Sequence, residues 1–368
     1  MKKRVLKNME WWIVIWGIAL SIIGLIALFS ATSEANYNEF TKQIIWIAVS
    51  IVSMIVMMLI DYNMLIKASP ILYGGSLILL IIVLFTEPIN GATSWFSMGD
   101  FAFQPSEFAK ITVILFLAFV ISKLQEKGKE EINKPWKLLI AILIIAIPLG
   151  LIIIQPDYGT AAAYLFALAL ILFAAGISKK YIIATVLLIT ILAPLAYMYV
   201  LPSHAKTRIE IFLNPESDPR GAGYNVIQSQ LAIGAGGLTG MGILKGNQTQ
   251  LGYLYPKTTD FIFSVIGEEM GFVISALVII LYVLIITKII YIAKTAKDDE
   301  GSYVAIGIAG VFLFHMLENI GMTMGLLPIT GVPLLFVSYG GSSMINSFIC
   351  LGILLNISGK RQKTIFVK

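Results

Sequence analysis

The stretch "LYPKTTDFIFSVIGEEMGFVISALVIILYVLIIT", residues 254–287, decides the fold. From Phe261 to Thr287 the only charges are Glu268 and Glu269, and the run exceeds the roughly 20 apolar residues that carry a helix across a bilayer. It therefore predicts a membrane-spanning helix. Its carboxylates are the puzzle, because an acid at the edge of a span and two more about two turns inside cost free energy that helix design avoids unless they do something.

Comparable apolar runs recur near 12–29, 44–60, 71–85, 107–122, 138–154, 160–175, 181–200, 303–325 and 342–357. With 261–287 they make about ten spans. Several are shorter than a bilayer needs, so flanking residues are expected to join them. The whole chain is 58% hydrophobic and only 13% charged, with a mean hydropathy of +0.88, far outside the balance of a soluble domain. The expected fold class is an all-α polytopic membrane protein, a single helical bundle over 1–368, since helices alone satisfy their own backbone in lipid and no internal repeat is visible. The first run follows Met1-Lys-Lys-Arg but lacks a small-residue cleavage site, so it reads as a retained helix.

Orientation follows from the cations. With both termini cytoplasmic, inner segments hold 19 of the 26 Lys and Arg residues, Lys110 lies within a span, and five of the six outer ones (Lys206, Arg208, Arg220, Lys245, Lys257) fall in one long loop, 201–259, between spans seven and eight. Long loops cross largely regardless of charge, so the short loops obey the positive-inside rule. The net charge of +5 then reflects topology and anionic lipid, and no nucleic-acid partner is expected.

Two histidines and one cysteine cannot build a thiolate or imidazole metal cage. The glycine run "GAGGLTGMG" (234–242) has no preceding strand and reads as bent or re-entrant backbone, not a dinucleotide loop. The outer loops are rich in Gly, Pro and polar residues, which places the functional cavity on that face.

In "TTD", Asp260 reads as a helix cap or as an ionised group at the mouth of the bundle, next to Lys257. Glu268 and Glu269 lie about 80° and 180° around an ideal helix from it, so both cannot share its face. They either pair with cations and helix ends or line a substrate path. "FQPSEFAK" (103–110) starts a helix at Pro105 and puts Glu107 and Lys110 at ion-pair spacing, one turn inside a span, where a lysine suits an anionic headgroup such as a diphosphate. Asp157 in "QPDYGT" reads as a turn former and cap at similar depth. His315, Glu318 and Asn319 share helical spacing and read as a buried polar network or a site.

The motifs "FQPSE", "QPDYGT", "NPESDPRGAGYN", "TDFIFSVIGEEMGF" and "GLLPITGVPLLFVSYGGSS", in this order over most of the chain, resemble the RodA/FtsW/SpoVE (SEDS) family of bacterial shape, division and sporulation proteins. The resemblance implies a ten-span plasma-membrane peptidoglycan glycosyltransferase that polymerises lipid II with a class B penicillin-binding protein, a transpeptidase, as partner. It implies that the essential acid is Asp260, and that Glu107, Lys110, Asp157 and the outer-loop Trp95 are further functional positions. Thr93, Ser94, Lys257, Thr258 and Leu335 depart from the common family pattern without removing a catalytic group.

Together these readings predict attack by the 4-hydroxyl of lipid II on a lipid diphosphate donor, with Asp260 as general base and inversion at the sugar. Lys110, outer cations such as Lys257, or a divalent cation (Mg or Mn) would hold the diphosphate, with no organic cofactor. A flippase for lipid-linked precursor, or a non-catalytic scaffold, is the alternative. The topology is checked by single cysteines in a Cys350→Ser background: those in 201–259 should react with an impermeant thiol reagent in wall-less cells, and those in 123–137 should not.

Overall fold

The computed structural model describes residues 3–88, 92–99, 101–199, 201, 203–219, 221 and 223–361, which leaves Arg220 of the expected outer cations outside the described residues. A short α1 (Lys3–Asn8) precedes α2 (Trp12–Ala31), α3 (Asn38–Leu59) and α4 (Tyr62–Ile82). A hairpin, β1 (Phe96–Met98) with β2 (Phe101–Phe103), pairs Ser97 with Ala102 and leads into α5 (Pro105–Leu124), α6 (Pro135–Ile154), α7 (Tyr158–Ala174) and α8 (Lys179–Tyr199). Three shorter helices follow: α9 (Ser203–Leu213), α10 (Tyr224–Ala235) and α11 (Asn247–Gln250). The chain then runs through α12 (Ile262–Thr295), α13 (Asp299–Thr323) and α14 (Gly341–Gly359).

Eight of these helices, α2, α3, α4, α6, α8, α12, α13 and α14, are long and apolar enough to cross a membrane. Helix α5, with Glu107 and Lys110 in its first two turns, and α7, with 17 residues, correspond to the other two expected spans. Two of the short runs are completed by their flanks, the expected 44–60 being α3 from Asn38 and 71–85 beginning at Tyr62, while α7 stays short.

Helices α13 and α14 form the enclosed centre, with α5 and α7 against α13 and α3 against α14. Helix α8 buries none of its residues and lies at the periphery. The two ends of the chain meet, since Arg361 and Lys288 both pair with Glu10, and Tyr62 donates to the Asp298 carboxylate at 2.6 Å beside them. The Gly- and Pro-rich loops gather at the opposite end.

Helix α12 is broken there. Gly271 has φ +73° and ψ −172°, so the Glu268 and Glu269 carbonyls lose the N–H groups of Phe272 and Val273. Unpaired backbone inside a membrane costs several kcal/mol per group. The glycine run repairs the break reciprocally. Met241 and Gly242 donate their N–H groups to those two carbonyls at 2.9 and 3.0 Å, while Phe272 and Val273 donate to the carbonyls of Gly237 and Leu238 at 2.9 and 3.2 Å. This exchange needs glycine: a Cβ on Gly240 (φ +82°) would stand 2.2 Å from the Glu269 carbonyl oxygen.

The carboxylates of the same two residues continue the seam. Glu268 accepts from Gln248 N at 2.7 Å, Thr249 N at 3.0 Å and Thr249 Oγ1 at 2.7 Å, and Glu269 Oε1 accepts from Gly246 N at 3.3 Å and Gln250 Nε2 at 3.0 Å. Of the two readings open in the sequence, the structure supports pairing with loop and helix-end N–H groups, which offsets the cost of burying Glu268, while Glu269 Oε2 has no hydrogen-bond partner among the described residues.

Gly240→Ala combines left-handed backbone with a backbone clash, and is expected to destabilise by about 2–4 kcal/mol. Gly74→Ala, which meets nothing within 4 Å, should be nearly neutral. Thermal unfolding in detergent compares the two.

Candidate active site at the loop-rich end

The site is built from two acidic segments and one loop, residues 324–340, that lies between them. Pro105 opens α5, where the missing N–H of the first helical residue is harmless, and this sets Glu107 in the first turn and Lys110 in the second. Lys110 Nζ lies 2.7 Å from Glu107 Oε1 and 3.0 Å from His315 Nε2, with both charged side chains 2% exposed. Glu107 Oε2 has no hydrogen-bond partner among the described residues. Lys110 also borders a small cavity otherwise lined by apolar and aromatic residues such as Ile114, Leu117, Tyr164, Ile171 and Val311.

Asp157 caps α7, accepting from Thr160 N at 3.1 Å, and its second oxygen accepts from Gln104 Nε2 at 3.0 Å. Burial pushes its carboxyl above the usual aspartate range. The Thr160 bond and Lys110 oppose that, and Glu107 adds to it. Glu107, Lys110 and Asp157 are thus close enough to feel one another's charge, as their similar depth suggested.

The second acidic segment is 258–260. Its backbone is tied to the 324–340 loop and α13 at three successive carbonyls: Tyr339 N donates to Thr258 O at 2.9 Å, Ser338 Oγ to Thr259 O at 2.7 Å, and Asn319 Nδ2 to Asp260 O at 3.0 Å. Asn319 also donates to Val332 O at 2.9 Å, and Glu318 accepts from Thr330 Oγ1 at 2.8 Å, so the polar residues of α13 form the expected network. The Asp260 carboxylate sits over Gly331, where even a Cβ would lie 3.5 Å from Oδ2.

Asp260 does not cap α12. The N-cap is Phe261, and no side chain closes that helix end. The carboxylate is half-buried, and burial raises its pKa while Thr259 and the Arg208 guanidinium pull it down. Arg208 comes from α9 and lines an open cleft with Phe212, Asn225, Gly325 and Pro328. In the sequence Arg208 is one of several outer cations; its approach to Asp260 depends on how α9 folds back.

The remaining expected site residues lie elsewhere. Lys257 donates to Thr249 O at 2.7 Å and pairs with Glu34 at 3.6 Å, so it secures the loop. Trp95 is partly exposed just before the hairpin, its carbonyl accepting from Thr86. Glu268 and Glu269 hold α11. Leu335, a departure from the family pattern, offers its carbonyl to the Tyr282 hydroxyl. Among the described residues no three His, Cys, Asp or Glu side chains converge to hold a metal ion by themselves.

The family model for FtsW, RodA and SpoVE, described as "cell cycle protein", matches residues 10–363. The chain is 33% identical to the peptidoglycan glycosyltransferase RodA of Treponema pallidum, covering 98% of this chain and 100% of that one. It is 36% identical to the peptidoglycan glycosyltransferase MrdB of Escherichia coli K12, covering 94% and 92%. A chain solved in work on the structural coordination of polymerization and crosslinking by a peptidoglycan synthase complex superposes with a TM-score of 0.83 at 28% identity, covering 95% and 97%.

The Glu107–Lys110 pair predicts a specific pattern of stability. Lys110→Met leaves a buried carboxylate alone and should cost about 3–5 kcal/mol, whereas the double change Glu107→Gln, Lys110→Met should recover most of it. Thermal unfolding of the two variants checks this.

Proposed function

The chain belongs to the FtsW/RodA/SpoVE family, and from that premise we propose that it is a peptidoglycan glycosyltransferase of the bacterial membrane, with the loop-rich end facing outward. It polymerises lipid II beside a class B penicillin-binding protein that cross-links the product. The names of its relatives and the synthase complex containing its structural neighbour support this reading.

The observation that carries the mechanism is the Asp260 carboxylate, held by its backbone and free of capping duty, with the neighbouring Thr259 hydroxyl as a hydrogen-bond donor and the Arg208 guanidinium nearby. The acceptor's 4-hydroxyl would give its proton to Asp260 while its oxygen attacks the donor's anomeric carbon and the lipid diphosphate leaves. A positioned base of this kind typically contributes 10²–10⁴-fold. Attack from the face opposite the leaving group inverts the sugar and calls for one base, which suits a lone aspartate better than a paired-acid hydrolase.

The departing diphosphate needs positive charge. Arg208 lines the cleft next to Asp260, and Lys110 supplies charge from its enclosed position beyond the 324–340 loop. A divalent cation would enter with the diphosphate, whose oxygens would be most of its ligands. The flippase reading drew on buried Lys110, Glu268 and Glu269 as a pathway; the pairing of Lys110 with Glu107 and the engagement of Glu268 and Glu269 by loop N–H groups argue against it.

Because Asp260 caps nothing, Asp260→Asn should leave expression, thermal stability and lipid II binding near wild type while slowing glycan synthesis at least about 100-fold. Robust polymer from this variant would refute the assignment of the base. The pH profile is a second test. A base must be deprotonated to act, so kcat/KM should fall as pH drops through the pKa of Asp260, which burial places above the ordinary value. Removing the cation in Arg208→Gln should move that acidic limb to still higher pH, measured as kcat/KM for lipid II against pH.

A further inference from the structure

Two residues one turn apart on α13 each grip one of two consecutive carbonyls in the 324–340 loop. Asn319 reaches Val332 O at 2.9 Å and, with the same amide nitrogen, Asp260 O at 3.0 Å. His315 reaches Pro333 O with Nδ1 at 2.9 Å and Lys110 Nζ with Nε2 at 3.0 Å. The loop that cradles the Asp260 carboxylate is therefore joined through one imidazole to the buried lysine on α5.

The chemistry of the two partners fixes the state of that ring. A carbonyl oxygen only accepts, so Nδ1 must carry the proton; an ammonium only donates, so Nε2 must offer its lone pair. A doubly protonated ring would turn a donor toward Lys110, and the opposite tautomer would turn a lone pair toward the carbonyl. His315 is 1% exposed and has no room to satisfy either atom with bulk water. Glu107 takes a second N–H of Lys110, which leaves one of its three for another acceptor.

We propose that His315 is a positioning residue: neutral, protonated on Nδ1 and anchored on Pro333, it aims the Lys110 ammonium at the anionic oxygens of the leaving group. This rests on the glycosyltransferase reading. It goes further by naming a residue that does not touch substrate and by giving its tautomer.

The test pairs two amides. His315→Gln places a carbonyl oxygen near the position of Nε2 and keeps an acceptor for Lys110; His315→Asn places an N–H near the position of Nδ1 and keeps only the loop anchor. At matched thermal stability, the Gln variant should hold kcat for lipid II polymerisation within about threefold of wild type, and the Asn variant should lose about tenfold or more, the worth of one well-placed hydrogen bond. Equal rates, or a faster Asn variant, would overturn the proposal by showing that the ring fills space or merely anchors the loop.

A measurement on the unaltered ring covers the case in which either variant fails to fold. With 15N-labelled histidine and His204→Gln, the one remaining imidazole should show a protonated Nδ1 and a bare Nε2, and a proton on Nε2 would overturn the proposal. If the wild-type protein makes no polymer, the glycosyltransferase reading falls, whereas the tautomer measurement fails or succeeds independently of it.

Discussion

Everything at the working end of this protein depends on satisfying backbone polar groups where helix stops and lipid does not. Irregular backbone at membrane depth survives only if other protein groups complete its hydrogen bonds. Helix α12 breaks at Gly271, and the four backbone groups released there are matched one for one by residues 237–242. The segment 258–260 gives three successive carbonyls to donors from the 324–340 loop and α13. A carboxylate whose backbone is held in this way can stay in place without capping a helix.

The same constraint separates the carboxylates that the opening stretch of sequence left unexplained. Glu268 accepts from N–H groups at the start of the four-residue α11, and Glu269 Oε1 accepts from Gly246 N and the Gln250 side chain. Asp260, only eight residues before Glu268, caps no helix and lies beside a cleft that contains Arg208. On the other side of the loop, Glu107, Lys110 and Asp157 form a buried charged group that would be costly unless internally paired. With Lys110 behind the loop and paired with Glu107, the cation and Asp260 do not form a direct ion pair.

Much of the fold was legible because hydropathy and length are local properties. The spans, including the short ones, lie where apolar runs and their flanks put them, and Pro105 marks the start of α5 as its missing N–H requires. The i,i+3 spacing of Glu107 and Lys110 gave their pairing, and the short turn at Asp157 gave its capping bond. What could not be read was which distant backbone each polar group would meet. "TTD" looks like a cap, but α12 starts two residues later, at Ile262, and leaves Asp260 uncapping. Nothing local to Arg208 announces its approach to Asp260, since that follows from the return of α9 across the mouth. Lys257 looked like a partner for the neighbouring acid and instead fastens Thr249 and Glu34.

The central claim is that a single base at the mouth drives a direct displacement on a lipid-linked sugar. The configuration of the new glycosidic bond tests this most directly. Purified protein, supplied with lipid II and a class B partner, should build glycan strands whose linkage, read by NMR, is inverted relative to the donor's anomeric carbon. Retained configuration would require a covalent intermediate and a second carboxylate, and would contradict the account.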